Sequence, residues 1–254
     1  MVLYFISIGL SDEKDMSLKA LEIAKSCDLL FAEFYTTKLN TTKEKLEKLI
    51  GKEVKVLSRA DLEENYQKIL DEAKVKKVGL LVGGDAFVAT THSALALEAK
   101  KQGIDVKVIH GSSIISAIAE TGLHIYKFGA IVTIPFPERT GGKLPFSVYT
   151  TIKENLEMGL HTLCLLDIDM EKNKLMSVNE AVTILMKLEK KLGEGILKDK
   201  KIIVFSKAGS DEQAIIYDSL DSLIERRFEN PAVIIIPGKL HFTEKEFLEN
   251  LRNI

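Results

Sequence analysis

Short uninterrupted apolar runs alternate with segments of helical period through the first half of the chain. Val2 to Ile8 reads as a buried strand closed by Gly9-Leu10-Ser11-Asp12, and Leu29 to Phe34 reads as a second. Between them, Leu18, Leu21 and Ala24 share one face of a helix near Ser17 to Ser26. Thr41-x-x-Glu44 has the form of a capping box ahead of Leu46, Leu49 and Ile50, with Gly51 as a left-handed stop. Val54 to Leu57 predicts a short strand, and Leu62, Tyr66, Ile69 and Ala73 predict the helix after it. Val78 to Val82 is apolar throughout and runs into Gly83-Gly84-Asp85, followed by a helix ending near Gly103. Val106 to Ile109 leads into His110-Gly111-Ser112-Ser113 and a helix to about Glu120. Near-continuous apolar strands separated by helices predict a parallel sheet covered on both faces.

The texture changes around Tyr126 to Thr151, where Pro135, Pro137, Pro145 and the pair Gly141-Gly142 fall. A domain junction belongs in residues 120–145, giving domains 1–122 and 123–254. The second half predicts strands near 130–134, 162–168, 201–206 and 232–236. Its clearest helix carries Val178, Ala181, Leu185, Leu188 and Leu192 and is closed by Gly193. Thr243-x-x-Glu246 has the form of a capping box for the last helix. The expected fold class is two α/β domains.

The length of 254 residues fits one large or two small domains, at about 150 residues each. Hydrophobic residues make up 46% and charged residues 28%, enough for a core and against wholesale disorder. With 35 basic and 37 acidic residues the net charge is −2, which argues against the simplest nucleic-acid binder. Cys27 and Cys164 stand alone, so neither a zinc module nor a disulfide scaffold is expected. Met1 leads straight into Val2-Leu3-Tyr4-Phe5-Ile6 without a basic leader, and no apolar run approaches the ~20 residues that span a bilayer. These features predict a soluble, cytoplasmic protein.

Ligands of open α/β sheets sit beyond the carboxyl ends of the strands. Three first-half strands end there in small-residue loops, containing Gly9-Leu10, Gly83-Gly84-Asp85 and Gly111-Ser112-Ser113. Asp12, Asp85 and Ser113 would serve as caps in ordinary strand-to-helix turns, and for any one loop that reading is the stronger. Three together favour a binding edge. No GxGxxG follows a strand, and Gly141-Gly142-Lys143 lacks the rest of a P-loop. A ligand with adenosine but no pyrophosphate, such as S-adenosylmethionine, needs neither fingerprint.

His92, His110, His124, His161 and His241 show no metal-ligand spacing, which favours capping or surface roles for most of them. Gly-x-Ser-x-Gly is absent. Asp167 and Asp169 could be paired acids but read better as solvated strand-end residues. Lys187 to Lys191 is a solvated helix face.

Longer runs carry a family likeness. They include Phe31-Ala32-Glu33-Phe34-Tyr35-Thr36, Leu57-Ser58-Arg59, Gly84-Asp85 with Val88-Ala89-Thr90-Thr91-His92, and Thr121-Gly122-Leu123-His124-Ile125-Tyr126-Lys127-Phe128-Gly129. Later come Gly159-Leu160-His161-Thr162-Leu163, Leu166-Asp167-Ile168, Lys207-Ala208-Gly209-Ser210 and Pro237-Gly238-Lys239-Leu240-His241. On these residues the chain resembles the diphthine synthases, in their short archaeal form, within the tetrapyrrole-methylase-like S-adenosylmethionine methyltransferases.

The resemblance implies two α/β domains of the tetrapyrrole methylase type, a homodimer, and S-adenosylmethionine in an inter-domain cleft. Carried over by position, its contacts are Leu10, Asp85, Val88, Ser113, Ile114, Leu166, Ala208 and Val233. The implied reaction is successive methylation of the amino group on a modified histidine of translation elongation factor 2, in diphthamide biosynthesis. No metal, membrane or nucleic-acid partner is implied, and no catalytic residue is identified. The alternatives are a small-molecule precorrin-type methylase and a non-catalytic nucleotide-binding or interaction module. Three positions depart from the family pattern. Ser7 stands where glycine is common, Ala86 where proline usually follows the aspartate, and Val233 where relatives often place a histidine.

Overall fold

The computed structural model describes residues 1–251. It divides into two compact units, Met1–Ile115 and Ser116–Ile254. The first unit runs β1 (Val2–Gly9), α1 (Leu18–Ser26), β2 (Leu29–Glu33), α2 (Lys43–Ile50), β3 (Lys55–Leu57), α3 (Arg59–Glu63), α4 (Gln67–Val75), β4 (Lys77–Gly83), α5 (His92–Lys101) and β5 (Asp105–Ile109). The short α6 (Ile114–Ala117) follows.

The five strands form one parallel sheet in the order β3-β2-β4-β1-β5. β1 is buried from end to end. Tyr4, Ile6 and Ile8 share a core with Ala20 and Ala24 of α1 and Leu46 and Ile50 of α2. Phe5, pointing the other way, meets the edge of Phe87 at 5.2 Å. Side chains alternate along a strand, so burial of both sets means that both faces are covered.

Three local expectations are corrected. α1 buries Ala20 and Ala24, and Leu18 is 80% exposed, because the small side chains rather than the leucine face β1. Thr42, not Thr41, caps α2 by accepting from Lys45 N–H, while the Thr41 hydroxyl donates to Glu13 at 2.6 Å. The helix expected through Leu62 and Ala73 is two helices. Ser58 and Asp61 cap α3, and Asn65 turns its N–H back to Ala60 O at 2.8 Å, ending that helix before α4 begins.

The second unit runs β6 (Val132–Ile134), α7 (Phe146–Glu157), β7 (Thr162–Leu166), β8 (Ile168–Asp169), β9 (Lys174–Leu175), α8 (Val178–Leu192), β10 (Lys201–Ser206), β11 (Ala214–Ser219), α9 (Leu220–Ile224), β12 (Ala232–Ile236) and α10 (Phe242–Asn250). Its main sheet has the order β11-β10-β12-β7-β6, parallel only between β6 and β7. β11 and the β8–β9 ribbon were not expected from the sequence. α8 follows its pattern except at its last turn: Ser177 caps it with Glu180, Gly193 closes it at φ +67°, and Val178, Ala181, Leu185 and Leu188 enter the core, while Leu192, expected on the same face, is exposed. α10 begins differently from expectation, with His241 and Glu244 forming the capping box. Among the described residues, no helix is long and apolar enough to cross a membrane.

Candidate functional site

The carboxyl ends of β4, β1 and β5, neighbours in the first sheet, carry the three small-residue loops. Gly9 N–H donates to Gly84 O and Gly84 N–H returns to Gly9 O at 2.7 Å, so two of the loops are clasped by their backbones. Leu10 follows the clasp directly and is half-buried. Ser113 is buried and Ile114, half-buried, opens α6. Gly84 has φ +66° and open space where a Cβ would project, which leaves its backbone approachable.

Asp85 is buried in this edge, and its role is more than a helix cap, since α5 begins only at His92. One carboxylate oxygen accepts from Phe87 N–H at 3.0 Å. The other accepts from Gly111 N–H at 3.1 Å and faces His110 Nδ1 at 2.9 Å. Burial pushes the carboxyl up, but the Phe87 N–H, His110 and Gly111 N–H outweigh it and hold its pKa below the ordinary value. Asp85 therefore ties the β4 loop to the β5 loop. Val88 N–H donates to Asp85 O at 3.1 Å, closing a turn with Ala86 at its second position. The Ala86 N–H is held by Ser7 Oγ at 3.0 Å, so two of the family departures touch each other.

Asp85→Asn should lower the stability of the ligand-free protein by about 1–3 kcal/mol, because an amide must turn its NH2 toward one of these backbone donors. Urea unfolding reads the loss. An unchanged midpoint would mean that the carboxylate does not hold the loops.

In the second unit, Leu166 ends β7 and is buried, and Val233 is buried in β12 opposite Leu165 and Phe205. Ala208 lies after β10 in a tight turn where Lys207 and Gly209 both have positive φ and Ser210 N–H donates to Lys207 O. Asp167 does not pair with Asp169. It accepts from Phe136 N–H at 2.8 Å and Arg139 Nε at 2.8 Å, while Asp169 caps the short turn at 170–172.

A buried carboxylate at the start of α10 carries no signal in the residue spacing. Glu244 is 0% exposed and collects four donors. His124 N–H (2.8 Å) and His161 Nε2 (3.1 Å) reach one oxygen, and Lys127 Nζ (2.5 Å) and His241 N–H (2.6 Å) reach the other. His161 Nδ1 accepts from Gly238 N–H at 2.9 Å, so its Nε2 carries the hydrogen given to Glu244. Burial lowers the His161 pKa against the pull of Glu244, consistent with a neutral ring. Burial alone would raise the Glu244 pKa, yet Lys127 and the backbone donors bring it down to about 2. Three of the five histidines thus surround one carboxylate, an arrangement that residue spacing does not reveal. Among the described residues, no group of three His, Cys, Asp or Glu could hold a metal ion. Burial pushes the Cys27 thiol up to about 11 and the Cys164 thiol to about 12, which removes both as nucleophiles.

The chain matches the family model for Tetrapyrrole (Corrin/Porphyrin) Methylases over residues 2–224. It is similar to the diphthine synthase of Methanocaldococcus jannaschii, at 48% identity over 255 residues covering 98% of each chain. Against the diphthine synthase of Methanosarcina acetivorans the identity is 46%, covering 98% of this chain and 96% of that one. Among solved structures it is similar to a crystal structure of diphthine synthase. That match has a TM-score of 0.88 and 37% identity, and covers 98% of this chain and 95% of the other.

Proposed function

We infer the function of this chain from one premise: it belongs to the tetrapyrrole methylase family, and within it to the diphthine synthases. It is an S-adenosylmethionine-dependent methyltransferase of diphthamide biosynthesis, acting on translation elongation factor 2. The observation that carries this reading is the likeness to diphthine synthases over 98% of the chain, which spans both units rather than one cofactor fold.

The residues at the first sheet's edge fit the cofactor. Half-buried Leu10, Val88 and Ile114 offer apolar walls, Gly84 leaves open space beside them, and no pyrophosphate turn is present or needed. We assign its contacts to Leu10, Asp85, Val88, Ser113 and Ile114 in the first unit and to Leu166, Ala208 and Val233 in the second. Asp85 contributes through its backbone, since its carboxylate is engaged by the loops. Buried Val233 can offer only apolar or backbone contact where relatives often have a histidine. When bound, S-adenosylmethionine supplies a methyl group activated by its sulfonium. The chain's part is to hold the accepting amine neutral, aligned and out of water.

The test is methyl transfer from labelled S-adenosylmethionine to elongation factor 2 carrying the unmethylated precursor, with a corrinoid precursor as the second arm. Label in the elongation factor alone is expected. Label in the corrinoid alone would make this a small-molecule methylase.

A cytoplasmic homodimer completes the reading. Its support is the exposed aromatic surface of the second unit, where Tyr126 is 79% and Phe242 72% exposed, linked through the His124 and His241 rings. Light scattering at micromolar concentration should report twice the 28.3 kDa chain mass, and a monomer would overturn the assignment.

A further inference from the structure

His110 follows β5 directly and opens the loop that holds Ser113 and Ile114, two of the contacts assigned to S-adenosylmethionine. Its ring therefore stands at the carboxyl edge of the first sheet. Its Nδ1 lies 2.9 Å from Asp85 Oδ2, which reaches it from the loop after β4. The same oxygen accepts from Gly111 N–H at 3.1 Å, and Asp85 Oδ1 accepts from Phe87 N–H at 3.0 Å. Backbone groups thus anchor both oxygens of the carboxylate that holds the ring, while the His110 side chain is 74% exposed.

Against the upward push of burial, these donors hold the Asp85 carboxyl below its ordinary pKa, so at neutral pH it is ionised and only accepts. His110 Nδ1 therefore carries the hydrogen, and Nε2 of the neutral ring offers a lone pair. Charged groups on the neighbouring segments are engaged elsewhere. Asp15, after β1, accepts from the Ser11 and Asp12 N–H groups, and Lys107, on β5 itself, lies 3.6 Å from Asp105. Asp85 is thus the counter-charge for the ring when Nε2 takes up a proton. The other histidines are placed differently. His92 and His161 are buried, and His124 and His241 turn ring nitrogens to the Tyr126 and Thr243 hydroxyls. A carboxylate that fixes an imidazole through Nδ1 and leaves Nε2 open is the arrangement of a general base.

We propose that His110 Nε2 is the proton acceptor for the substrate amine, with Asp85 as its positioning residue. The proposal rests on the reading of the chain as a diphthine synthase and on the methyl-donor site assigned to this edge. An alkyl amine is largely ammonium at neutral pH and has no lone pair to attack with. His110 Nε2 bonds to one ammonium proton, and the N–H electron pair returns to the amine nitrogen. That lone pair takes the methyl carbon from the sulfonium, the C–S pair stays on sulfur, and the amine regains its positive charge. The imidazolium then releases its Nε2 proton to water, which the exposure of the ring allows. A methylated ammonium must lose a proton again before the next transfer, so successive methylation needs a base that solvent can reset.

His110→Asn keeps an N–H for Asp85 and removes the basic nitrogen. In methyl transfer to elongation factor 2 its kcat should fall about a hundredfold, with KM for the protein substrate unchanged. The thermal shift with S-adenosylhomocysteine should persist, which separates loss of the base from loss of the cofactor site. Added imidazole should raise the kcat of His110→Ala about tenfold and leave the parent protein unaffected, because the vacated position is open to solvent. A readout without turnover comes from nitrogen resonances of the full-length protein with labelled histidine. The ring whose signals vanish in His110→Asn should carry its hydrogen on Nδ1 when neutral. Full kcat in His110→Asn, no imidazole rescue, or a neutral His110 protonated on Nε2 would each overturn the base and leave the function standing. No transfer to elongation factor 2 by the parent protein would sink the function and the base with it, whatever the tautomer.

Discussion

Replacing Glu244 with glutamine is expected to destabilise the second unit by about 3 kcal/mol at neutral pH. The wild-type carboxylate accepts from Lys127, His161 and two backbone N–H groups while excluded from water. Glutamine removes the charge opposite the half-buried Lys127 and turns an NH2 toward at least one donor, so the cation loses its counter-charge and a buried N–H loses its acceptor. The pH dependence has a definite sign. Folding lowers the Glu244 pKa from 4.5 to about 2. Such a carboxyl stabilises the fold fully above its unfolded pKa, and the contribution disappears as pH falls through the folded value. The gap between wild type and Glu244→Gln should therefore be widest above about pH 5 and shrink toward pH 2. Glu246→Gln is the control, since that exposed residue is the cap that Thr243-x-x-Glu246 suggested. Urea midpoints across this pH range measure the effect. Equal midpoints for wild type and Glu244→Gln at pH 7 would show that the carboxylate is not what holds the start of α10.

Elements with a strong local signal were legible in the sequence. β1, β2 and β4 appear as apolar runs because a strand covered on both faces has no polar side to break the run, whereas β5, at the edge of the sheet, alternates exposed Asp105 and Lys107 with Val106 and Val108. α8 announces its buried stripe and its glycine stop, though its Ser177–Glu180 capping box escaped. β11 escaped because it pairs only with β10, at the edge of its sheet, and is mostly half-buried, so its residues form no clean apolar run. The cap of α10 escaped because histidine is not a usual N-cap, and a threonine two residues later offered a conventional one. The site was legible as loops but not as contacts. Small residues after three strands marked the edge, yet the Asp85–Gly111 tie and the cluster around Glu244 join residues far apart in the chain. The runs at 31–36 and 88–92 were visible as a family likeness. That they meet around His92, with its unpaired nitrogen, needed coordinates.

Ser7 and Ala86 should behave as one unit in a double-mutant cycle, although 79 positions separate them. Ser7 Oγ accepts the Ala86 N–H at 3.0 Å in a buried site. Ser7→Gly alone leaves that N–H without a partner, at a cost of about 1–3 kcal/mol. Ala86→Pro alone should cost a similar amount, about 1–3 kcal/mol, because the ring carbon replaces the hydrogen pointing at Ser7 Oγ and overpacks the site. The backbone itself does not oppose proline, since Ala86 occupies the second position of the Asp85–Val88 turn, where proline is favoured. In Ser7→Gly/Ala86→Pro the missing N–H and the missing acceptor cancel, and removal of the hydroxymethyl makes room for the ring. Gly111 also gains space, for a Cβ there would lie 2.7 Å from Ser7 Cβ. The double variant should therefore be more stable than the two losses added together, with a coupling of about 1–3 kcal/mol in thermal or urea unfolding. This pairing explains why both family departures occur in one chain: each is costly alone and tolerable beside the other. Losses that add to within about 0.5 kcal/mol would mean that the Ser7–Ala86 hydrogen bond does not couple β1 to the β4 loop.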